Sequence, residues 1–493
     1  MGAHYRLRFE GLSNLAQNRG YKCGRGSRVT IETKRTSLHG MWSSKLAFIL
    51  AVSGSAVGLG NVWKFPYITG ENGGGAFVIV YLICVFAIGL PIMMSEVLIG
   101  RRGRRNPIAT MRLVGEEESG SSKWQLVGGM GVIGGFMILS FYSVVAGWAL
   151  AYIFKSATGA FTGTNAAEVG AIFDGLTANW PVLLAWHTLF MAMTVFIVAR
   201  GVQRGLEQAV QILMPALGVL LVILLFYSIS EGNFAEGVNY LFRADFSKLT
   251  WDSVLVALGH AFFTLSVGMG AVMAYGAYLP ASASIPGTSV AVVFADTGIA
   301  LLAGLVIFPI VFANGLAPGE GPGLIFQALP LAFGQMPGGV IFATLFFLLL
   351  SFAAWTSSIG LIEPAVAWLV ERYEQSRVQA ASMVGATVWV LGVGSVLSFN
   401  LLADFKFWRG TIFDNLDHLA SNIMLPLGGL LISVFAGWVM CRNSTSEELD
   451  MGTGVAYSTW RFLARFVAPI IVLVIFLNSS GFIGWVQGLS NGG

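Results

Sequence analysis

Charge is scarce in this chain. Of its 493 residues, only 11% are Asp, Glu, Lys or Arg, whereas 55% are hydrophobic and the mean hydropathy is +0.74. A soluble domain ordinarily carries about a quarter charged residues, so no water-soluble domain of any size fits here. Cysteine is also rare. Cys23, Cys84 and Cys441 lie far apart without ligand spacing, which argues against a disulfide framework or a thiolate metal site. His4, His39, His187, His260 and His418 are equally scattered. No G-x-x-x-x-G-K-[ST] loop is present, so transport driven directly by a nucleotide is disfavoured. No clustered acid/base or metal set suggests an enzyme. Residues 1–40 are polar, basic and Gly-rich and hold no apolar core of a secretory signal. They read as a disordered basic cytoplasmic extension.

What is present are long apolar runs. Stretches of roughly 20 apolar residues recur throughout, each long enough to cross a hydrocarbon core of roughly 30 Å. Eleven spans are predicted, at about 45–67, 75–100, 124–155, 179–199, 205–230, 251–279, 287–313, 338–371, 378–401, 411–440 and 456–478. This is an all-α polytopic membrane protein. With the amino terminus inside, every Lys and Arg except Lys64, Lys155, Arg243, Lys248, Lys406 and Arg409 falls on the cytoplasmic side. That asymmetry orients the chain in a cytoplasmic (inner) membrane, with the carboxy terminus outside. The basic clusters, such as Arg101, Arg102, Arg104, Arg105 and Arg112, sit where topology signals belong, so a nucleic-acid partner is not expected. The third and eighth spans are long enough to tilt. The external connection 314–337 is long and rich in Gly and Pro, as functional lids often are.

Two spans carry Ser and Gly where an uninterrupted apolar helix belongs. The first is broken at SGSAVGLG (53–60) and the sixth at TLSVGMG (264–270). Small residues also serve close helix packing. Breaks at matching places in two halves instead point to a transporter site near the bilayer midplane. A helix broken in the membrane exposes amides on one stub and carbonyls on the other. The amides suit an anion and the carbonyls a small cation. Without partners these groups are too costly in hydrocarbon.

The stretches GSAVGLGNVWKFPY (54–67), ENGGGAF (71–77), FFTLSVGMG (262–270) and TSSIG (356–360), in this order and in these spans, resemble the neurotransmitter:sodium symporter family in its bacterial amino-acid transporter branch. The likeness covers nearly the whole chain from about residue 41. It implies the leucine-transporter fold, a 5+5 inverted repeat with broken first and sixth helices. Repeat one would occupy about 41–235, repeat two about 245–440, and the eleventh helix about 456–478.

The resemblance also implies roles. A first sodium site would use Ala56, Asn61, Thr264 and Asp296, with the substrate carboxylate completing the shell. A second would use carbonyls of Gly54, Val57 and Ala353 and hydroxyls of Thr356 and Ser357. A lone Ser or Thr in a membrane helix is ordinarily bonded back to its own helix; the motif context favours the ion. The substrate pocket would hold Ser55, Ala56, Gly58, Leu59, Gly60, Ile138, Tyr142, Phe263, Thr264, Ser266, Met269, Ser357 and Leu361. Tyr142 and the amides near Leu59 and Gly60 would bind the substrate carboxylate. A wall without charge suits a neutral, hydrophobic amino acid, and Met269, where an aromatic is common, leaves room for an aromatic side chain.

Lys64 and Asp417 match an outer pair, with Phe263 as lid, but Lys lacks the bidentate fork of the usual Arg. Trp42, Tyr278 and Glu371 match an inner gate, and His39 stands where Arg is usual. His260 replaces a common Gln. Gly205 and Pro215 repeat a spacing at which some bacterial relatives unwind the fifth span. Asp296 departs from the usual Asn, and an intramembrane acid is a functional candidate by default. Its charge would replace chloride, which is therefore not expected as a requirement. The implied function is sodium-coupled import of neutral amino acids by alternating access. The rival reading is a receptor-like membrane protein that binds an amino acid without transport.

Overall fold

The computed structural model describes residues 20–23, 27–30, 35–319 and 323–479. The expected disordered extension lies mostly outside these residues. Within it, β1 (Gly20–Cys23) pairs antiparallel with β2 (Ser27–Thr30), Gly20 opposite Thr30. Residues 35–40 are held rather than loose: Arg35 pairs with Glu117, and Nε2 of His39 lies 2.9 Å from Oε1 of Glu371.

The rest is helical. Ser44 caps α1 (Lys45–Ala56) by accepting the Ala47 N–H. After a bend of 51° the chain continues as α2 (Gly60–Glu71). Next come α3 (Gly75–Gly103), α4 (Pro107–Ser119), α5 (Ser122–Ala157), α6 (Ala166–Thr177), α7 (Trp180–Ala199), α8 (Val202–Glu231) and α9 (Phe234–Phe242). The second half opens with α10 (Trp251–Thr264), whose Thr250 cap and Ser253 satisfy one another, and α11 (Ala271–Ala277). It goes on through α12 (Ile285–Ala313), α13 (Leu324–Gln335), α14 (Gly339–Tyr373), α15 (Arg377–Leu397), α16 (Ile412–Val439), α17 (Arg442–Leu449) and α18 (Val455–Val474).

Among the described residues, nine helices are long and apolar enough to cross a membrane, and α1 with α2 makes a tenth span. The interrupted pair α10–α11 stands sixth in order, so each set of five opens on a broken helix. Large apolar side chains such as Leu126, Ile212, Phe226 and Val390 are more than 60% exposed, as a lipid-facing belt requires. The long third and eighth spans, α5 and α14, pack against each other more extensively than any other helix pair. The connection 314–337 is not a plain loop: much of it is α13, a short apolar helix.

The breaks follow from local chemistry. At Val57 the backbone turns extended (ψ 106°), and its N–H reaches Ser53 O at 2.6 Å. A Cβ on Gly58 would lie 2.4 Å from Ser357 Oγ and 2.8 Å from Tyr142 Oη, so only glycine lets α14 and α5 approach. In the second break Ser266 (φ 53°), Gly268 (φ 87°) and Gly270 (φ 77°) are left-handed. Gly268 is further constrained by Leu425 O, 2.4 Å from its would-be Cβ. One amide of this break finds a partner in buried Glu96 of α3, whose Oε1 accepts the Gly268 N–H at 2.5 Å.

Candidate functional site

Between the two breaks lies a small cavity, its free space about 20 Å³. That is room on the order of one water molecule, so an amino acid enters only if the wall moves. Ser55, Ala56, Gly58, Leu59 and Gly60 line it from the first break, Ile138 and Tyr142 from α5, Phe263, Ser266 and Met269 from the second break, and Ser357 and Leu361 from α14. Thr264, grouped with them on the sequence, is not part of this lining. The Leu59 N–H donates to Tyr142 Oη at 3.2 Å, so an amide of the stub and a phenol face the same point. Apolar contact comes from Ile138, Phe263, Met269 and Leu361, and no charged side chain lines the cavity.

Ser55 joins the two breaks to α14. Its carbonyl accepts the hydroxyls of Ser266 at 2.9 Å and Ser357 at 2.8 Å. Its own hydroxyl is buried and has no hydrogen-bond partner.

Beside the cavity, the residues assigned to a first sodium meet. Asn61 Nδ2 donates to Asp296 Oδ1 at 2.8 Å and to the Asp296 carbonyl at 3.0 Å. Thr264 Oγ1 lies 3.1 Å from both carboxylate oxygens. All three residues are fully buried. Asn61 Oδ1, proposed as an ion ligand, accepts the Gly58 N–H at 3.0 Å. The set is made of hard oxygens around one buried carboxyl group, a donor type that fits an alkali cation. His260 lies nearby between Phe65 and Tyr81, at centroid distances of 6.0 and 5.4 Å, and neither ring nitrogen has a partner.

The residues assigned to a second sodium also converge. Ser357 Oγ lies 3.4 Å from Val57 O, and Thr356 Cβ would be 3.3 Å from a Cβ on Gly54. Thr356 Oγ1 bonds back to Phe352 O and Ala353 O at 3.1 Å, the ordinary habit of a helical Thr. An ion held by Ala353 O and Thr356 Oγ1 would replace that bond.

The gates differ from expectation. Lys64 and Asp417 form no ion pair. Lys64 Nζ sits over the Phe263 ring, 4.7 Å from its centroid, while Asp417 Oδ1 accepts the Ser421 hydroxyl at 2.8 Å. An ammonium, a point charge without a planar fork, is satisfied by the ring face.

The other gate is closed. The Trp42 N–H donates to Tyr278 O at 3.0 Å and its indole N–H to Tyr275 O at 3.1 Å. Glu371 takes both the N–H and the Nδ2 of Asn106 at 2.7 Å, besides facing His39. Tyr278 does not bond to Glu371. Its hydroxyl donates to Oε1 of buried Glu363 at 2.8 Å, and Glu363 pairs with Arg377. Sequence reasoning passed over Glu363 and Glu96. The signal was there, because both are carboxylates inside predicted spans, the same criterion that singled out Asp296. Among the described residues no group of three or more His, Cys, Asp or Glu could hold a metal.

Two broken helices, with a small cavity and buried oxygens between them, define a membrane transporter of the broken-helix type. A model of the sodium:neurotransmitter symporter family matches residues 39–168 and 168–483, and the chain belongs to that family. It is 38% identical over 447 residues to the sodium-dependent transporter YhdH of Bacillus subtilis, covering 90% of this chain and 98% of the relative. A sodium-dependent transporter of Haemophilus influenzae is 34% identical over 449 residues, covering 89% and 97%. The crystal structure of MhsT in complex with L-phenylalanine superposes with a TM-score of 0.83 at 44% identity, covering 89% of this chain and 99% of MhsT. The fold is therefore the leucine-transporter fold, and the protein is a sodium-dependent transporter of this family.

Proposed function

We propose that this protein is a symporter that uses the inward sodium gradient to import neutral, hydrophobic amino acids, aromatic ones included, by alternating access. The observation that carries the reading is the cavity itself. The Leu59 amide and the Tyr142 phenol meet at one side of it, and an uncharged wall of Ile138, Phe263, Met269 and Leu361 forms the rest. The first pair suits a carboxylate and the wall suits an apolar side chain. That MhsT, a relative by fold and sequence, binds L-phenylalanine agrees with this choice.

Two sodium ions travel as co-substrates. One is held by Ala56, Asn61, Thr264 and Asp296, the other by Gly54, Val57, Ala353, Thr356 and Ser357. Asp296 supplies the negative charge that makes chloride unnecessary. Its neighbours Asn61 and Thr264 are neutral donors, so a cation is its natural counter-charge. Residues 35–45 lie at the cytoplasmic side of an inner membrane, and the closed gate of Trp42, Tyr278 and Glu371 is the inner one. Sodium favours the state with this gate shut, and substrate lets Phe263 and Lys64 close above it. Coupling follows from the difference in affinity between the two states.

Purified protein in proteoliposomes, given labelled amino acids with and without an inward sodium gradient, tests the reading. Concentrative, sodium-dependent uptake of Phe, Tyr, Trp or Leu is the expected result. Binding without accumulation would instead establish the receptor-like alternative.

A further inference from the structure

Arg465 is a cation within a membrane span that has no counter-charge. It sits on α18, where Leu463–Val467 are wound as a π-helix, and meets the last turn of α16, where Phe435–Val439 are wound likewise. Wide turns of this kind are common at functional places. Here the two cross closely. A Cβ on Gly437 would lie 2.8 Å from Arg465 Cα, and the Trp438 indole N–H donates to the Arg465 carbonyl at 2.7 Å. The guanidinium lies over Trp438, 4.1 Å from its ring centroid, and 5.5 Å from that of Phe466. Among the described residues this guanidinium makes no hydrogen bond and no ion pair, and its Nε is buried. One turn earlier, Arg461 donates only to the neutral oxygens Thr445 Oγ1 and Tyr457 Oη, each at 3.1 Å. Arg442 lies over the Tyr457 ring, 5.8 Å from its centroid, and pairs with no carboxylate either. Glu448 of α17 is taken by Arg101.

We propose that this corner of α16 and α18 binds the phosphate of an anionic phospholipid, with Arg465 as its principal ligand. An arginine in a span without a partner is costly, and a guanidinium fork matches a phosphate with two parallel hydrogen bonds. The level is that of the headgroups. Arg465 lies beside the last turn of α16, and an indole such as Trp438 belongs at the membrane–water boundary. From there Phe466, Ile470 and Leu473 run into the membrane on one exposed face of α18, with spacings of four and three. The ligand therefore carries an anion at one end and a long apolar body at the other. Its headgroup is negative overall, because an ammonium beside the phosphate would face Arg461 and Arg442. The leaflet is the one at the closed gate: α17 is held by Arg101, and Arg104 of the same basic run donates to the Ala277 and Leu279 carbonyls on either side of Tyr278.

Fluorescence quenching of the full-length protein in lipid nanodiscs reads this corner directly. The Trp438 signal is the difference between the wild-type protein and Trp438→Phe. None of the readouts involves sodium or an amino acid, so the outcome is independent of the proposed transport function. Phosphatidylglycerol with dibrominated acyl chains, mixed into phosphatidylcholine, is expected to half-quench the Trp438 signal at about a tenfold lower mole fraction than brominated phosphatidylcholine. Arg465→Gln is expected to abolish that preference, and Arg465→Lys, which keeps the charge without the fork, to retain part of it. Arg461→Gln, which leaves the Trp438 contact in place, is expected to reduce it about threefold. Arg409→Gln, exposed in the loop before α16, is expected to change nothing. Inorganic phosphate added at constant ionic strength is expected not to relieve the quenching. Equal quenching by the two lipids overturns the proposal, as does an unchanged preference in Arg465→Gln or Arg461→Gln. Relief by inorganic phosphate overturns it too, and assigns the site to free phosphate.

Discussion

Asn61 and Asp296 tie the first break to the second half of the chain: the Asn61 amide donates to both the carboxylate and the main-chain carbonyl of Asp296, at 2.8 and 3.0 Å. Thr264, at the end of α10, reaches the same carboxylate. Three spans therefore share one buried carboxyl group, and a cation entering between them would draw them together.

The proposed charge on Asp296 makes chloride testable. Uptake by the wild-type protein is expected to be unchanged when chloride is exchanged for gluconate. Asp296→Asn is expected to lose most uptake in gluconate and to recover part of it in chloride. Wild-type uptake that collapses in gluconate would refute the role of Asp296.

Gly58 is the tightest point of the cavity. Gly58→Ala would bring a methyl group to 2.4 Å from Ser357 Oγ and 2.8 Å from Tyr142 Oη. Overpacking of this kind costs about 1–3 kcal/mol. Binding of labelled phenylalanine in a scintillation proximity assay is expected to weaken about tenfold or more, with the protein still monodisperse on size exclusion.

Thr356 and Ser357 are assigned to the second ion through hydroxyls that now bond to Ala353 O and Ser55 O. The double variant Thr356→Ala, Ser357→Ala is expected to fold and to lose sodium-dependent uptake. A normal sodium titration in that variant would remove the second ion from these residues.

His39 faces Glu371 at 2.9 Å and lies edge-on to Tyr278, 5.7 Å between ring centroids. His39→Ala removes both contacts and is expected to speed hydrogen–deuterium exchange of the amides of 39–48, read on the protein in lipid nanodiscs. Exchange at the wild-type rate would exclude a latch role for His39.

The positions of the spans and of both breaks were legible in the sequence because each is a local property. A run of roughly 20 apolar residues must be a helix in lipid. Gly58 and Gly268 mark where backbone approaches side chain or backbone too closely for any Cβ. The residues around the cavity were singled out too, through the motifs that run along both breaks.

Partnership was not legible. Lys64 faces Phe263 rather than Asp417, Tyr278 bonds to Glu363 rather than Glu371, and Ser43 donates to Glu207. Each choice joins groups far apart in the chain, 85 positions for Tyr278 and Glu363 and 164 for Ser43 and Glu207. Hydropathy and helix-breaking residues alone determined where the apolar helices lie and where two of them break. Only the packed bundle decided which buried donor meets which carboxylate, because a charge in a low-dielectric interior takes whatever partner the crossing helices bring within reach.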